Sequence, residues 1–346
     1  MKEMKKLFMP VVVVAMLLAM LMPVAVFGDT EDTATGTFSN NNVPSITYVK
    51  LYDTGGAPAE VTAMTPQVQY AAWVLVTDAD LKADLTTIVV KIYYDSTTEG
   101  TTEAEYDGKS AATQTCAIIT WTESSGTFAL TAMSGTTWAL GACVEPTTLA
   151  DPFKFLFTVG KVATEATGAV ADDWQIAAKV TDDSSQADWE ADSNGSTMNW
   201  YGEISGVSGT VDWGTVNPGM PIGEGAPSEK TLGVTVNYIS NGAYDEKVKT
   251  VATWPDVPDN TADATLDEDG TDLTANAFSL KADDIATLGS DVFVTAAAGV
   301  AIDVTGTQTP EAGDNVATNT LWLQLASTFI KDTYSGTITY IIADGS

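Results

Sequence analysis

The sequence predicts an all-β protein: two antiparallel β-sandwich domains behind an N-terminal signal peptide. Three observations predict it. Apolar and polar residues alternate at period two in one run after another. Short segments rich in Asp, Thr, Ser and Gly separate those runs. Beyond the leader, no segment keeps the 3.6-residue periodicity of a long amphipathic helix.

The leader reads MKEMKKLFMPVVVVAMLLAMLMPVAVFGDT. Lys2, Lys5 and Lys6 form a basic head, Leu7 to Phe27 carries no charge, and small Gly28 precedes Asp29. That is the pattern of an export signal, residues 1–28, cut near Gly28–Asp29. The apolar run of 21 residues is also long enough to stay in a bilayer as an anchor. Both outcomes put the rest of the chain outside the cytoplasm.

The strands follow in order. SITYVKLYD (45–53), VQYAAWVLVTD (68–78) and TIVVKIYYD (87–95) alternate, and Ile88, Val90 and Ile92 share one face. TCAIITWTE (115–123) and TTWALGA (136–142) come next. PFKFLFTVG (152–160) puts Phe153, Phe155, Phe157 and Val159 on one face, and Trp174, Ile176, Ala178 and Val180 repeat the pattern. The acidic segment around Trp189 then breaks it. The expected organisation is a sandwich over 29–185, an acidic linker over 186–198 and a second sandwich over 199–346. In the second half Leu232, Val234, Val236 and Tyr238 alternate. So do Val300, Ile302 and Val304, then Leu321, Leu323 and Leu325, then Ile338, Tyr340 and Ile342. SLKADDIATLG (279–289) has room for one short helix.

Charge narrows the function classes. The formal net charge is −31, with 46 acids against 15 basic residues, all of them lysine, and no histidine. A field of that sign repels phosphate backbones, so nucleic acid is not an expected partner. Without His or Arg, the serine triad, histidine-bearing zinc sites and the usual phosphate clamp have no residues to use. Phosphate-loop, dinucleotide and nucleophile-elbow fingerprints are also missing. Paired carboxylates remain, but among so many acids they carry no signal. No enzyme activity is expected.

The candidate sites are few. Cys116 and Cys143, the only two cysteines, are expected to form a disulfide in an oxidising compartment. Closing that loop would stabilise the fold by about 3.5 kcal/mol on chain-entropy grounds. LDEDGTDL (266–273) gathers Asp267, Asp269 and Asp272 around Gly270, a hard-oxygen set suited to a weak calcium site, although Asn276 stands where an EF-hand would place its bidentate Glu. Asp78, Asp80 and Asp84 in TDADLKADL form a weaker cluster. Among nine tryptophans, Trp189 stands isolated between acids and reads as the exposed one and a candidate ligand contact. Trp213, inside GTVDWGTVNPG (209–219), alternates with Val211 and reads as sheet interior or the contact between domains, with sugar stacking as the other reading. Asn194-Gly195-Ser196 meets the glycosylation spacing.

DWGTVNPG (212–219), with the strand EKTLGVTVNYISNGAYDEKV after it, resembles the G-T-V-x-P-G opening of immunoglobulin-like modules in bacterial and archaeal secreted surface proteins. The ending DTYSGTITYII (332–342) resembles the terminal strand of such modules, including those of wall-associated WxL-type proteins. The two motifs bracket residues 199–343. The paired W-x-L motifs of true wall binders are missing, and Trp322-Leu323-Gln324-Leu325 is only superficially similar. SITYVKLYD, VQYAAWVLVTDAD and DLTTIVVKIYY resemble immunoglobulin-like segments of archaeal envelope proteins more loosely. The resemblance implies two immunoglobulin-like surface sandwiches and brings no catalytic residues.

The expected role is therefore a non-enzymatic structural protein of a microbial cell surface: an envelope layer, sheath or extracellular filament subunit. Its partners would be copies of itself or other envelope components. The alternative is a secreted adhesion or glycan-binding module, with calcium as its one candidate cofactor. Membrane contact is expected only if the leader stays as an anchor.

Overall fold

In the computed structural model of the protein, residues 41–345 are described, apart from 98–101, 132–135, 170, 193, 219–229, 258–261, 272, 284–291, 298 and 310–314. The expected signal peptide, residues 1–28, lies outside the described residues, as does Asp272.

The alternation in the sequence becomes the in-and-out pattern of strands. In PFKFLFTVG, Phe153, Phe155 and Phe157 are fully buried, whereas Lys154, Leu156 and Thr158 face outward and are half-buried. Each buried Phe contributes about 2–3 kcal/mol by leaving water. A one-residue slip would exchange the faces, which fixes the register.

The first half contains β1 (Ser45–Asp53), β2 (Ala63–Met64), β3 (Gln69–Thr77), β4 (Leu85–Asp95), β5 (Cys116–Thr122), β6 (Thr127–Thr131), β7 (Ala139–Leu140), β8 (Phe153–Thr158), β9 (Asp173–Asp182), β10 (Ala187–Ala191) and β11 (Thr197–Met198), with one helical turn and a half, α1 (Glu103–Gly108). Four strands form one sheet in the order β1-β3-β8-β7, and five form a second in the order β10-β9-β4-β5-β6. Their inner faces close on one core that includes Leu51, Val74, Ile88, Val90, Trp121, Phe153, Phe155 and Trp174. Trp121 packs on Phe153 at 4.7 Å between ring centroids. The helix α1 covers part of the outer face of the five-stranded sheet. Its Tyr106 packs there with Tyr93, Cys116 and Ala177, and the Tyr106 hydroxyl donates to the Val89 carbonyl at 2.9 Å.

The second half contains β12 (Gly202–Ser208), β13 (Lys230–Ser240), β14 (Tyr244–Thr250), β15 (Thr253–Trp254), β16 (Ala264–Leu266), β17 (Ala277–Asp283), β18 (Val292–Phe293), β19 (Val300–Gly306), β20 (Asn315–Leu325) and β21 (Ile338–Asp344). A seven-stranded sheet runs β12-β13-β20-β17-β16-β15, with β18 also on β17, and faces a three-stranded sheet β19-β14-β21. Val234, Val236, Tyr238, Val248, Phe278 and Leu321 meet in the core between them. The pairings are antiparallel except β2–β11 and β16–β17. The room for a helix at 279–289 is not used where it is described: Ser279–Asp283 belong to β17, because Phe278, Leu280 and Ala282 line the core at period two.

The acidic linker expected over 186–198 is corrected by the structure. Ala187–Ala191 pair with β9, and Thr197 and Met198 run parallel to Ala63 and Met64. The acids there serve a different purpose from solvating a tether. Asp188 Oδ2 accepts from the Ile46 amide at 2.7 Å, and Asp192 Oδ2 accepts from the Leu51 amide at 3.2 Å. Both amides belong to β1, the edge of its sheet, so the carboxylates satisfy donors that an edge strand would otherwise leave open.

Asn41–Ser346 make one compact unit. The two halves meet along a polar seam. Asn241, fully buried, donates through Nδ2 to the carbonyls of Ala163 at 2.9 Å and Asn199 at 3.0 Å, and its Oδ1 accepts from the Tyr201 amide at 2.6 Å. Its carbonyl accepts from the Glu165 amide at 3.0 Å. Gln308 Nε2 reaches the Val162 carbonyl at 2.7 Å, Gln114 Nε2 reaches the Thr309 carbonyl at 3.0 Å, and Lys161 pairs with Glu203 at 2.9 Å.

Candidate functional site

The two cysteines are free, so the expected Cys116–Cys143 disulfide is not formed. The fold separates their environments. Cys116 sits in β5 on the outer face beneath α1, beside Tyr93 and Tyr106. Cys143 lies against β8 of the other sheet, where its Sγ accepts from the Leu156 amide at 3.2 Å. Burial pushes the Cys116 thiol up to about 11, with Lys91 and Lys109 pulling weakly the other way. Burial also raises the Cys143 thiol, against its hydrogen bond from Leu156. Neither has the lowered pKa of a nucleophile.

Trp189 is not the exposed tryptophan that its acidic neighbours suggest. It lies in β10 opposite Lys179 and packs, half-buried, on the cluster of Tyr93, Tyr106, Cys116 and Ala177. Trp213 is buried in the second core, with its ring centroid 5.7 Å from that of Trp254, which in turn lies 4.4 Å from Phe278. The loop around it is a turn built for that purpose. Asp212 Oδ1 accepts from the Gly214 amide at 2.8 Å, and Gly214 has φ of 58°, a conformation that glycine adopts without cost. The turn aims the indole inward.

Asn194 is exposed, while Ser196 of the same triplet is buried and bridges backbone to backbone with Trp174.

In the 266–273 loop, Asp269 and Asp267 accept from groups of the loop, and Glu268 reaches outside it. Asp269 Oδ1 accepts from Thr271 N at 2.9 Å and from Thr271 Oγ1 at 2.7 Å, which holds its carboxyl below the usual range. Asp267 Oδ1 accepts from the Asp269 amide at 3.4 Å, and Glu268 Oε1 accepts from the Ala296 amide at 2.7 Å.

Among the described residues, which leave out Asp272 of the 267–272 set, the acidic cluster whose oxygens converge is the one ranked lower by sequence. The carboxylate oxygens of Asp78, Asp80 and Asp84 lie within 4.8 Å of one another. Leu81, at φ 75°, turns the chain back between β3 and the short turn Lys82–Asp84. Asp80 Oδ2 accepts from Asn42 N at 2.6 Å and from Asn42 Nδ2 at 3.0 Å. Asp78 Oδ2 and Asp84 Oδ2 are shielded from solvent, and Asp78 Oδ2 has no hydrogen-bond donor among the described residues. Lys82 turns away to Glu145 Oε1 at 2.7 Å and the Pro146 carbonyl at 2.9 Å. Desolvation, then the charge and hydrogen bond of Asp183, then Asp78 and Asp182, raise Asp84 to about 6. The three oxygens are of the kind calcium takes, and supply three of the about six to eight it needs.

Sequence reasoning missed one surface. On the outer face of the four-stranded sheet, Trp73 of β3 stacks on Tyr52 of β1 at 4.2 Å, and the Lys154 ammonium from β8 sits 4.2 Å from the Trp73 ring centroid. The spacing of Tyr52, Trp73 and Lys154 in their strands was a signal, since each stands at an outward position. Their juxtaposition depends on strand order, which the sequence does not state.

Among the described residues no helix is long and apolar enough to cross a membrane. No family profile matches the sequence, and no curated protein matches it. Among solved structures, the chain is similar to one from a chaperone–tip adhesin complex of CFA/I fimbriae, with TM-score 0.27 and 8% identity over 74% of this chain and 85% of that one. It is also similar to a chain of the CsuC–CsuE chaperone–tip adhesion subunit pre-assembly complex from archaic chaperone–usher Csu pili of Acinetobacter baumannii, with TM-score 0.29 and 9% identity over 86% and 92%.

Proposed function

We propose that this chain is a non-enzymatic structural subunit of a microbial cell surface, exported by its leader and built from two immunoglobulin-like sandwiches. The observation that carries the reading is the seam at Asn241. Two sheet pairs joined by a flexible tether would move independently. Here the buried Asn241 amide and the half-buried Gln114 and Gln308 amides tie loop to loop, which supports a stiff pair, the property a layer, sheath or filament requires of its repeating unit. The acidity fits a surface that stays solvated until counterions screen it. Light scattering on the exported chain, residues 29–346, tests this: the proposal expects ordered self-association as salt rises from about 0.01 M to 0.15 M, where the Debye length shortens from about 30 Å to about 8 Å.

The second reading is a secreted adhesion module whose grip on glycan depends on calcium. It draws on the convergence of Asp78, Asp80 and Asp84. A glycan array read with calcium and again with a chelator tests it.

A further inference from the structure

We infer that the outer face of the β1-β3-β8 sheet is the surface on which a second copy of this chain docks its acidic side. The inference rests on the structural-subunit reading and names the contact that reading needs. The register places Lys50, Trp73, Lys154 and Val144 in one row across the sheet. Tyr52 and Leu156 stand in the adjoining row, both facing outward. The inner face of this sheet is already apolar. An antiparallel sheet with one face on a core normally turns polar residues to water on the other. This sheet presents rings, aliphatic side chains and two ammonium groups instead, with Val144 47% exposed. The outer face is thus a patch of rings and aliphatic side chains around Trp73, bordered by Lys50, Lys154, Gln69 and Thr158.

Charge selects the occupant. Lys50 pairs with Glu60 at 2.5 Å, but Lys154 has no carboxylate partner among the described residues, and its ammonium rests on Trp73. An unneutralised cation beside apolar side chains is uncommon on a chain of net charge −31. Its complement is an anionic surface, which this chain supplies in excess elsewhere. The contact is then heterologous, cation face to acidic face, and such contacts propagate into rings or filaments. A pyranose ring fits less well. Tyr52 and Lys154, from the strands on either side of β3, both pack on the Trp73 ring, which leaves less of it for sugar stacking.

The test is sedimentation velocity on the exported chain at about 0.15 M salt, near the ionic strength where long-range repulsion is screened, over a range of concentrations, for the wild type, K154E and V144E. Far-ultraviolet circular dichroism and melting confirm that each is folded, and V144E keeps the test open should K154E not fold. The expected result is self-association of the wild type that is at least about tenfold weaker in each folded variant, as for loss of a charge-complementary contact. Variants that associate as the wild type does would overturn this contact while leaving the subunit reading intact. A wild type that stays monomeric at every concentration and salt would overturn both. A monomeric wild type that binds a uronate-rich polysaccharide, with binding lost in K154E, would assign the face to glycan and overturn the docking of a second copy.

Discussion

Asn241 Nδ2 donates to the Ala163 carbonyl at 2.9 Å, joining a loop of the first sheet pair to the end of β13 in the second. One amide therefore satisfies groups from both halves while lying fully out of solvent. N241A would leave the Ala163 and Asn199 carbonyls and the Tyr201 amide without this partner. Each buried polar group left unmet costs about 1–3 kcal/mol. The expected outcome in urea is a loss of about 2–4 kcal/mol, with the single unfolding transition splitting into two as the halves uncouple. A single transition at the wild-type midpoint would show that the seam does not couple them.

Trp213 should behave as a core residue. W213A should cost about 3 kcal/mol by emptying the space against Trp254, measured by chemical denaturation. In the wild type, tryptophan emission should be unmoved by any glycan at this position. A glycan that quenches wild-type emission but not that of W213A would make the indole a ligand platform instead.

The pH dependence follows from Asp84. Its folded pKa is raised to about 6, chiefly by desolvation and by Asp183. The unfolded value is about 3.9. A carboxyl raised on folding contributes stability that is complete below the unfolded value and is lost as pH rises through the folded one. The melting temperature should therefore fall between about pH 4 and pH 7 from this group. D84N should flatten that part of the profile and raise stability at pH 8. Identical profiles for the two proteins would mean the cluster is fully solvated.

Both thiols should react without reductant once the chain is unfolded, and intact mass should rise by two alkyl groups. In the folded protein Cys143 should react before Cys116, which lies buried under α1 with its thiol pushed up to about 11. A mass unchanged until reductant is added would restore the bridge.

Much of the fold was legible because burial imposes period two on the strands that cross a core. The Phe153, Phe155, Phe157 series and the Val234, Val236, Tyr238 series could be read directly. Strand β14 could not be told apart from the run EKTLGVTVNYISNGAYDEKV, which reads as one strand but divides into β13 and β14, in different sheets. Its sequence, YDEKVKT, is mostly charged, yet Tyr244, Glu246 and Val248 point inward, and Asn319 Nδ2 satisfies Glu246 from the facing sheet at 2.8 Å. Asp188 and Asp192 read as linker acids because their partners, Ile46 and Leu51, stand 142 and 141 residues away. The acidic cluster was ranked by spacing around a glycine. Convergence instead came from Leu81, a left-handed turn at a non-glycine residue that no local pattern announces.

The measurement that bears most directly on the structural role is negative-stain imaging of the exported chain, dialysed from about 0.01 M to 0.15 M salt. Without the leader's three lysines and Glu3, the chain has 12 lysines against 45 acids, a formal net charge of −33, and repulsion between such molecules reaches over about 30 Å at the first strength and about 8 Å at the second. The account predicts isolated particles at low salt and regular sheets or filaments at the higher strength. Isolated, monodisperse particles at every salt would contradict it.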